Sequence, residues 1–196
     1  MAVATVALVG ATFGAQTRED FRIQSGTTVT VQVAKSGVLS FAGHEHEVVA
    51  PATEGQVTLD RADMTKSAVR LVFAAAAMKV TGKGEPADDV PEVQRVMLSD
   101  RVLDVQRYPT ITFESRAISR ASGSALRIDG DLTLHGMTKR ITVPVQLQLE
   151  ADRLTAQGKV DIRQTDFGMR PVTAAGGSVK VKDEVTVTFA ITASRR

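Results

Sequence analysis

Stretch after stretch of this chain alternates apolar and polar residues, and that period of two constrains its fold more than any other feature. In TTVTVQV, Val29, Val31 and Val33 share one face, with Thr28, Thr30 and Gln32 on the other. VPVQLQLEA sets Val143, Val145, Leu147 and Leu149 against Gln146 and Gln148, and VTVTFAI aligns Val185, Val187, Phe189 and Ile191. GQVTLD, AVRLVF, TITFES, LRIDGDLTL, LTAQGKVDIR and KRITVPV follow the same rule. Successive side chains of a strand point to opposite faces, so each of these segments buries one face and wets the other. Repeated along a chain, the pattern argues for antiparallel sheet. A long sheet with open edges invites pairing with other chains, and closing it on itself removes them. The expected architecture is all-β, one antiparallel sheet closed into a barrel of roughly eight strands, whose interior can hold side chains or one small apolar ligand.

One segment departs from this period. In DDVPEVQRVMLSDRVL (88–103), Val90, Val93, Val96, Met97, Val102 and Leu103 recur at helical intervals. Asp88 or Asp89 suits the cap and Pro91 the first turn, so a helix is predicted at about 89–100. GKGEP (82–86) reads as a flexible entry to it. No composition shift or internal repeat marks a second domain, and 196 residues suit one barrel.

Composition narrows the function. Hydrophobic residues make up 43% of the chain, enough for a sizeable core, while aromatics are 4%, with no Trp and one Tyr. With a net charge of +2 and scattered basic residues, the sequence lacks the basic and aromatic clustering usual in a nucleic-acid binder, and no nucleic-acid partner is expected. The absence of Cys excludes disulfides, thiolate metal sites and thiol nucleophiles. Residues 1–15, small and apolar, are expected to be a secretory signal, placing a domain over 20–194 in the periplasm or outside the cell. Neither a G-x-S-x-G elbow nor a phosphate-binding loop is present. The acidic pairs Asp88-Asp89 and Asp183-Glu184 read as a helix cap and a hairpin turn, and Arg195-Arg196 as a solvated tail.

FAGHEHEV (41–48) holds two of the three histidines. On one strand His44 and His46 share a face, as metal sites in some barrels require, but a site needs a third ligand. His135, Glu45, Glu54 and Asp131 are the candidates. Val48 shares the histidine face, whereas Leu39 and Phe41 do not continue onto it, so a bulge is predicted near Gly43. If Val48 points inward, so do both histidines. Polar rim residues are the favoured role, a head-group contact the second and a metal site the third.

Four stretches together resemble the YceI-like family: DVQRYPTITFES (104–115), GDLTLHGMTKRITVPV (130–145), RQTDFGM (163–169) and VKDEVTVTF (181–189). The resemblance implies a single extended lipocalin-like β-barrel with one short helix between early and late strands. It also implies an elongated apolar cavity for a polyisoprenoid or similar amphiphile. The first half departs from the family pattern. Phe21 stands where many members carry Trp, and GHEHEVVAPATEGQV lacks the later Gly-x-Phe pair. The family's two lipid-contacting aromatics are therefore not matched as such here, with Phe21 at best in the place of one, and the ligand's identity stays open.

On this reading the chain is not an enzyme and has no catalytic residues, metal or cofactor beyond a bound isoprenoid or other lipid. Its expected partner is a long-chain lipid; transient membrane contact and the oligomeric state are left open, a dimer included. The expected lipid-contacting residues are the inward apolar ones: Val31, Phe41, Val57, Leu71, Phe73, Ile111, Phe113, Leu132, Val143, Val145, Ile162, Phe167 and Phe189, with Val96 and Met97 as a lid. His44, His46 and Arg163 are expected at the rim or head group. Two alternatives remain: a metal-binding protein or metal-dependent enzyme using His44 and His46, and a packed barrel acting through its surface as an accessory or stress-response protein.

Overall fold

The computed structural model describes residues 18–36, 45–174 and 179–195. The alternating segments form β1 (Arg18–Ile23), β2 (Thr28–Ser36), β3 (His46–Asp60), β4 (Ala68–Ala74) and the short β5 (Lys79–Val80). After helix α1 (Val90–Leu98) come β6 (Thr110–Arg120), β7 (Ala125–Leu134), β8 (Met137–Leu149), β9 (Arg153–Arg163), the short β10 (Thr173–Ala174) and β11 (Val179–Arg195). All pairings are antiparallel. The order β2-β3-β4-β6-β7-β8-β9-β11 returns to β2, closing an eight-stranded barrel. The helix lies between early and late strands, with Pro91 in its first turn. The Asp89 side chain makes no capping hydrogen bond.

β1 and β2 occupy one strand position. Both pair with β3 on one side and β11 on the other, β1 at Phe21↔Val57 and Phe21↔Arg195, β2 at Val31↔Val48 and Val31↔Val187. A turn through Gly26, at φ 88°, separates them, a left-handed conformation open to glycine at little cost. Arg195 belongs to β11 and ion-pairs with Glu19 at 2.9 Å, so it is no solvated tail. Asp183 and Glu184 lie within β11, at an irregularity in its pairing with β2, where a hairpin turn was expected.

Inward residues form two clusters. Phe21, Val57, Leu59, Met64, Leu154 and Ala193 pack at the β1 end, where Phe21 is fully buried. The larger cluster runs from there toward α1. Glycines make room for rings between them. An added Cβ at Gly158 would stand 2.4 Å from the Phe189 ring and 2.3 Å from the Pro144 carbonyl oxygen, and one at Gly130 would stand 2.4 Å from the Phe113 ring. A strand glycine often marks such a close approach.

The outer face is laced by cross-strand ion pairs. Asp131 on β7 accepts from Arg140 on β8 and, at 2.7 Å, from Arg116 on β6. Those bonds, Arg140's the stronger, hold the Asp131 carboxyl below its ordinary value of 3.8. A carboxyl lowered in the folded state stabilises above its unfolded value and loses that contribution as pH falls through the folded one.

Gly158→Ala is expected to cost roughly 1–3 kcal/mol through overpacking, read as a lower urea midpoint at unchanged slope. Asp131→Asn should flatten the loss of stability below about pH 4 seen in titrations of the unmodified chain.

Candidate functional site

The inward faces leave one half of the barrel unfilled. A cavity of about 480 Å³ lies at the α1 end. Its wall comes from Val29, Val31 and Val33 of β2, His46, Val48 and Ala50 of β3, and Val185 and Val187 of β11. Phe73, Ile111, Leu132, Leu134 and Ile162 continue it. None of the β1-end cluster reaches it, so the far end is sealed by packed side chains.

The helix covers this space. Val93, Val96 and Met97 of α1, with Val102 and Leu103 after it, face the cavity. Gln94 holds the helix in place: its side-chain amide donates to the Met78 carbonyl at 2.9 Å, and its oxygen accepts from the Val80 amide at 2.8 Å. One side chain thus substitutes for a neighbouring strand. Its signal in the sequence was weak, a single amide between apolar helix positions.

The placement of the sequence-derived residues is now specific. Val31, Phe73, Val96, Met97, Ile111, Leu132 and Ile162 line the cavity. Val57 belongs to the plug at the far end. Leu71, Phe113, Val143, Val145 and Phe167 are buried in the core without lining the cavity, and Phe189 packs against it over Gly158. Alternation identifies an inward face without saying where along the barrel the interior is packed. Phe41 and His44 lie outside the described residues, as does the bulge predicted near Gly43. Within β3 the pairing with β4 shifts between Ala52 and Glu54, which carries the inward face from Ala52 to Gly55 and Val57.

Val48 points inward and so does His46, which lines the cavity. Arg163 is exposed at the end of β9, beside the Asp183 carboxylate, and does not line it. That carboxyl is held low by hydrogen bonds from Thr165. The proposed third metal ligands do not join His46. Asp131 is engaged by arginines on the outer face, Glu45 and Glu54 are exposed, and the His135 ring nitrogen lies 3.1 Å from the Phe167 carbonyl. Among the described residues no three His, Asp or Glu side chains gather as metal ligands.

The family-like stretches meet in space. His135 and Gly136, both at positive φ, turn β7 into β8. Tyr108 packs on His135 at 4.6 Å between ring centroids, and a Cβ on Gly136 would strike the Tyr108 ring. Gly168, at φ 70°, ends the turn that carries Phe167 to His135. These residues brace one end of the barrel. Beside them a more polar depression of about 420 Å³, bordered by Asp100, Arg101 and Arg170, adjoins the cavity at Arg101.

A closed antiparallel barrel, sealed at one end and roofed by a helix over an apolar cavity, is a lipocalin-like barrel. A family model described as the YceI-like domain matches residues 21–193, and the chain belongs to the YceI-like family. BcnA of Burkholderia cenocepacia superposes with a TM-score of 0.65 at 21% identity, covering 86% of this chain and 96% of that one. A polyisoprenoid binding domain from Saccharophagus degradans, implicated in plant cell wall breakdown, gives 0.61 at 14% identity, covering 90% and 98%. A UPF0312 protein of Pseudomonas aeruginosa is 32% identical over 104 residues, 50% of this chain and 54% of that protein. The chain spans about half the length of the curated relatives it matches.

Gln94→Ala strands the Val80 amide and the Met78 carbonyl, and should cost about 1–3 kcal/mol. Faster hydrogen exchange at the Val80 amide would locate the loss at the helix roof.

Proposed function

We propose that this protein binds and carries an apolar lipid chain in its barrel, in the bacterial envelope, without chemical change to the lipid. The observation that carries the reading is the cavity closed at its far end: about 480 Å³, bounded mostly by Val, Leu, Ile, Met and Phe side chains on strands and helix alike. Ligand sites are concave, mostly apolar and of this size. The polyisoprenoid-binding description of the Saccharophagus domain supports the same class of ligand. The expected signal at residues 1–15 supports an envelope location.

The dimensions bound the ligand. A cavity of about 150 Å³ holds one benzene, so one of about 480 Å³ takes roughly 15–20 carbons. At about 0.8 kcal/mol per methylene, transfer of such a chain from water gains roughly 12–16 kcal/mol before the costs of association. Burial alone therefore provides a driving force for retention. A longer polyprenyl chain has to leave part of its length outside the cavity or displace the packed rings.

Native mass spectrometry of protein purified without detergent from its own cells tests the reading. A discrete added mass that organic solvent extracts, and that fragments as a prenyl or acyl chain, is the expected result. A bare mass, together with failure of the stripped protein to take up an apolar fluorophore, would overturn it. Val187→Trp narrows the cavity from one wall and should weaken uptake of a sixteen-carbon chain at least about tenfold, about 1.4 kcal/mol, with the fold intact by circular dichroism.

A further inference from the structure

We propose that His46 and Glu85 together form a head-group site, selecting an apolar chain that ends in a hydroxyl. The inference rests on the cavity being the ligand site and adds the chemistry of the ligand's polar end. Among the described residues, the buried side-chain polar atoms lacking a hydrogen bond are His46 Nδ1 and both Glu85 carboxylate oxygens. Nδ1 and Oε2 stand 3.1 Å apart, within ion-pair range but not aligned as a hydrogen bond. The Glu85 side chain is fully buried. Removing a carboxylate from water costs several kcal/mol unless partners compensate, so its burial calls for an explanation.

The backbone is shaped to place it there. Gly82 and Gly84 both adopt positive φ, and the Glu85 amide donates to the Gly82 carbonyl at 3.2 Å. The Thr81 amide donates to the Glu47 carbonyl at 2.9 Å, and Lys83 ion-pairs with the Glu47 side chain at 3.3 Å. GKGEP is thus a built turn that delivers one acid to the inner histidine.

His46 connects this pair to the cavity it lines. Nδ1 is buried against Glu85 while about 21% of the side chain is accessible, so the accessible ring edge is the one that carries Nε2. The other polar groups at the wall are occupied or open to water. The Gln164 amide donates to the Lys182 carbonyl at 2.8 Å, Glu92 is held by Arg95, and Arg101 is exposed. A hydroxyl both donates and accepts, so it pairs with the imidazole whichever proton the ring carries. A hydrocarbon leaves Nε2 without a partner, and a phosphate brings negative charge toward the buried Glu85 carboxylate behind the ring.

The test uses lipid-stripped full-length protein, with hexadecan-1-ol, hexadecane and hexadecyl phosphate as probes, read by displacement of an apolar fluorophore. His46→Leu is expected to weaken hexadecan-1-ol about tenfold and leave hexadecane within about twofold, the difference one hydrogen bond makes. Glu85→Gln, which keeps size and loses charge, should weaken the alcohol several-fold and spare the alkane. Should His46→Leu lose the alkane as well through misfolding, Glu85→Gln decides alone. Equal loss of alcohol and alkane in Glu85→Gln, or no loss of either, overturns the head-group site and leaves the cavity reading standing. Tighter binding of hexadecyl phosphate than of the alcohol, abolished by Arg101→Ala and not by His46→Leu, also overturns it, in favour of an anionic head. If the unmodified protein binds no probe, the cavity reading falls and this inference with it.

Discussion

Everything in this molecule depends on β11 having two partners. It pairs with β9 from Glu184 to Ser194 and with β2 and then β1 on its other side. That double ladder turns a meander into a barrel and leaves the principal strands without a free edge. Once the sheet is closed, every inward side chain must either meet others or border empty space. The interior of this barrel does both, at different depths.

The division follows residue size. Where Phe113 and Phe189 lie across Gly130 and Gly158, rings from one strand occupy the room that glycines on the next have vacated. Beyond them, toward β1, Phe21 completes the seal. In the other direction the inward positions are mostly Val, Leu and Ile, whose short side chains stop before they meet. The helix supplies the missing wall. Its attachment through Gln94 ties it to the backbone of Met78 and Val80, so the roof sits on a strand end instead of floating on apolar contacts alone.

The strands, the closure, the helix and the apolar lining were legible because each depends on a local period. TTVTVQV already holds the three β2 residues that border the cavity, and VPEVQRVM three of the helix residues that roof it. Depth along the barrel was not legible. Phe113 and Ile111 share a face on β6, yet Ile111 borders the cavity and Phe113 is packed away, a difference set by Gly130 on another strand. The direction of His46 could not be read either. It depends on which of Val48 and Val49 is inner, and the pairing shift after Ala52 lets the strand serve one inward face on each side of it. Glu85 was missed for a related reason. Two glycines around a lysine read as slack chain, when their positive φ values make a turn with one defined occupant.

The seal formed by Phe21 and its neighbours has a directional consequence. If the cavity holds a lipid as proposed, a tube closed at one end admits it tail-first and releases it head-first through the same opening. On that reading the polar terminus is the last part to enter and the first to emerge. Loading and unloading share one path, so they compete for it. A second lipid cannot push the first out from behind, and exchange has to proceed through an emptied barrel.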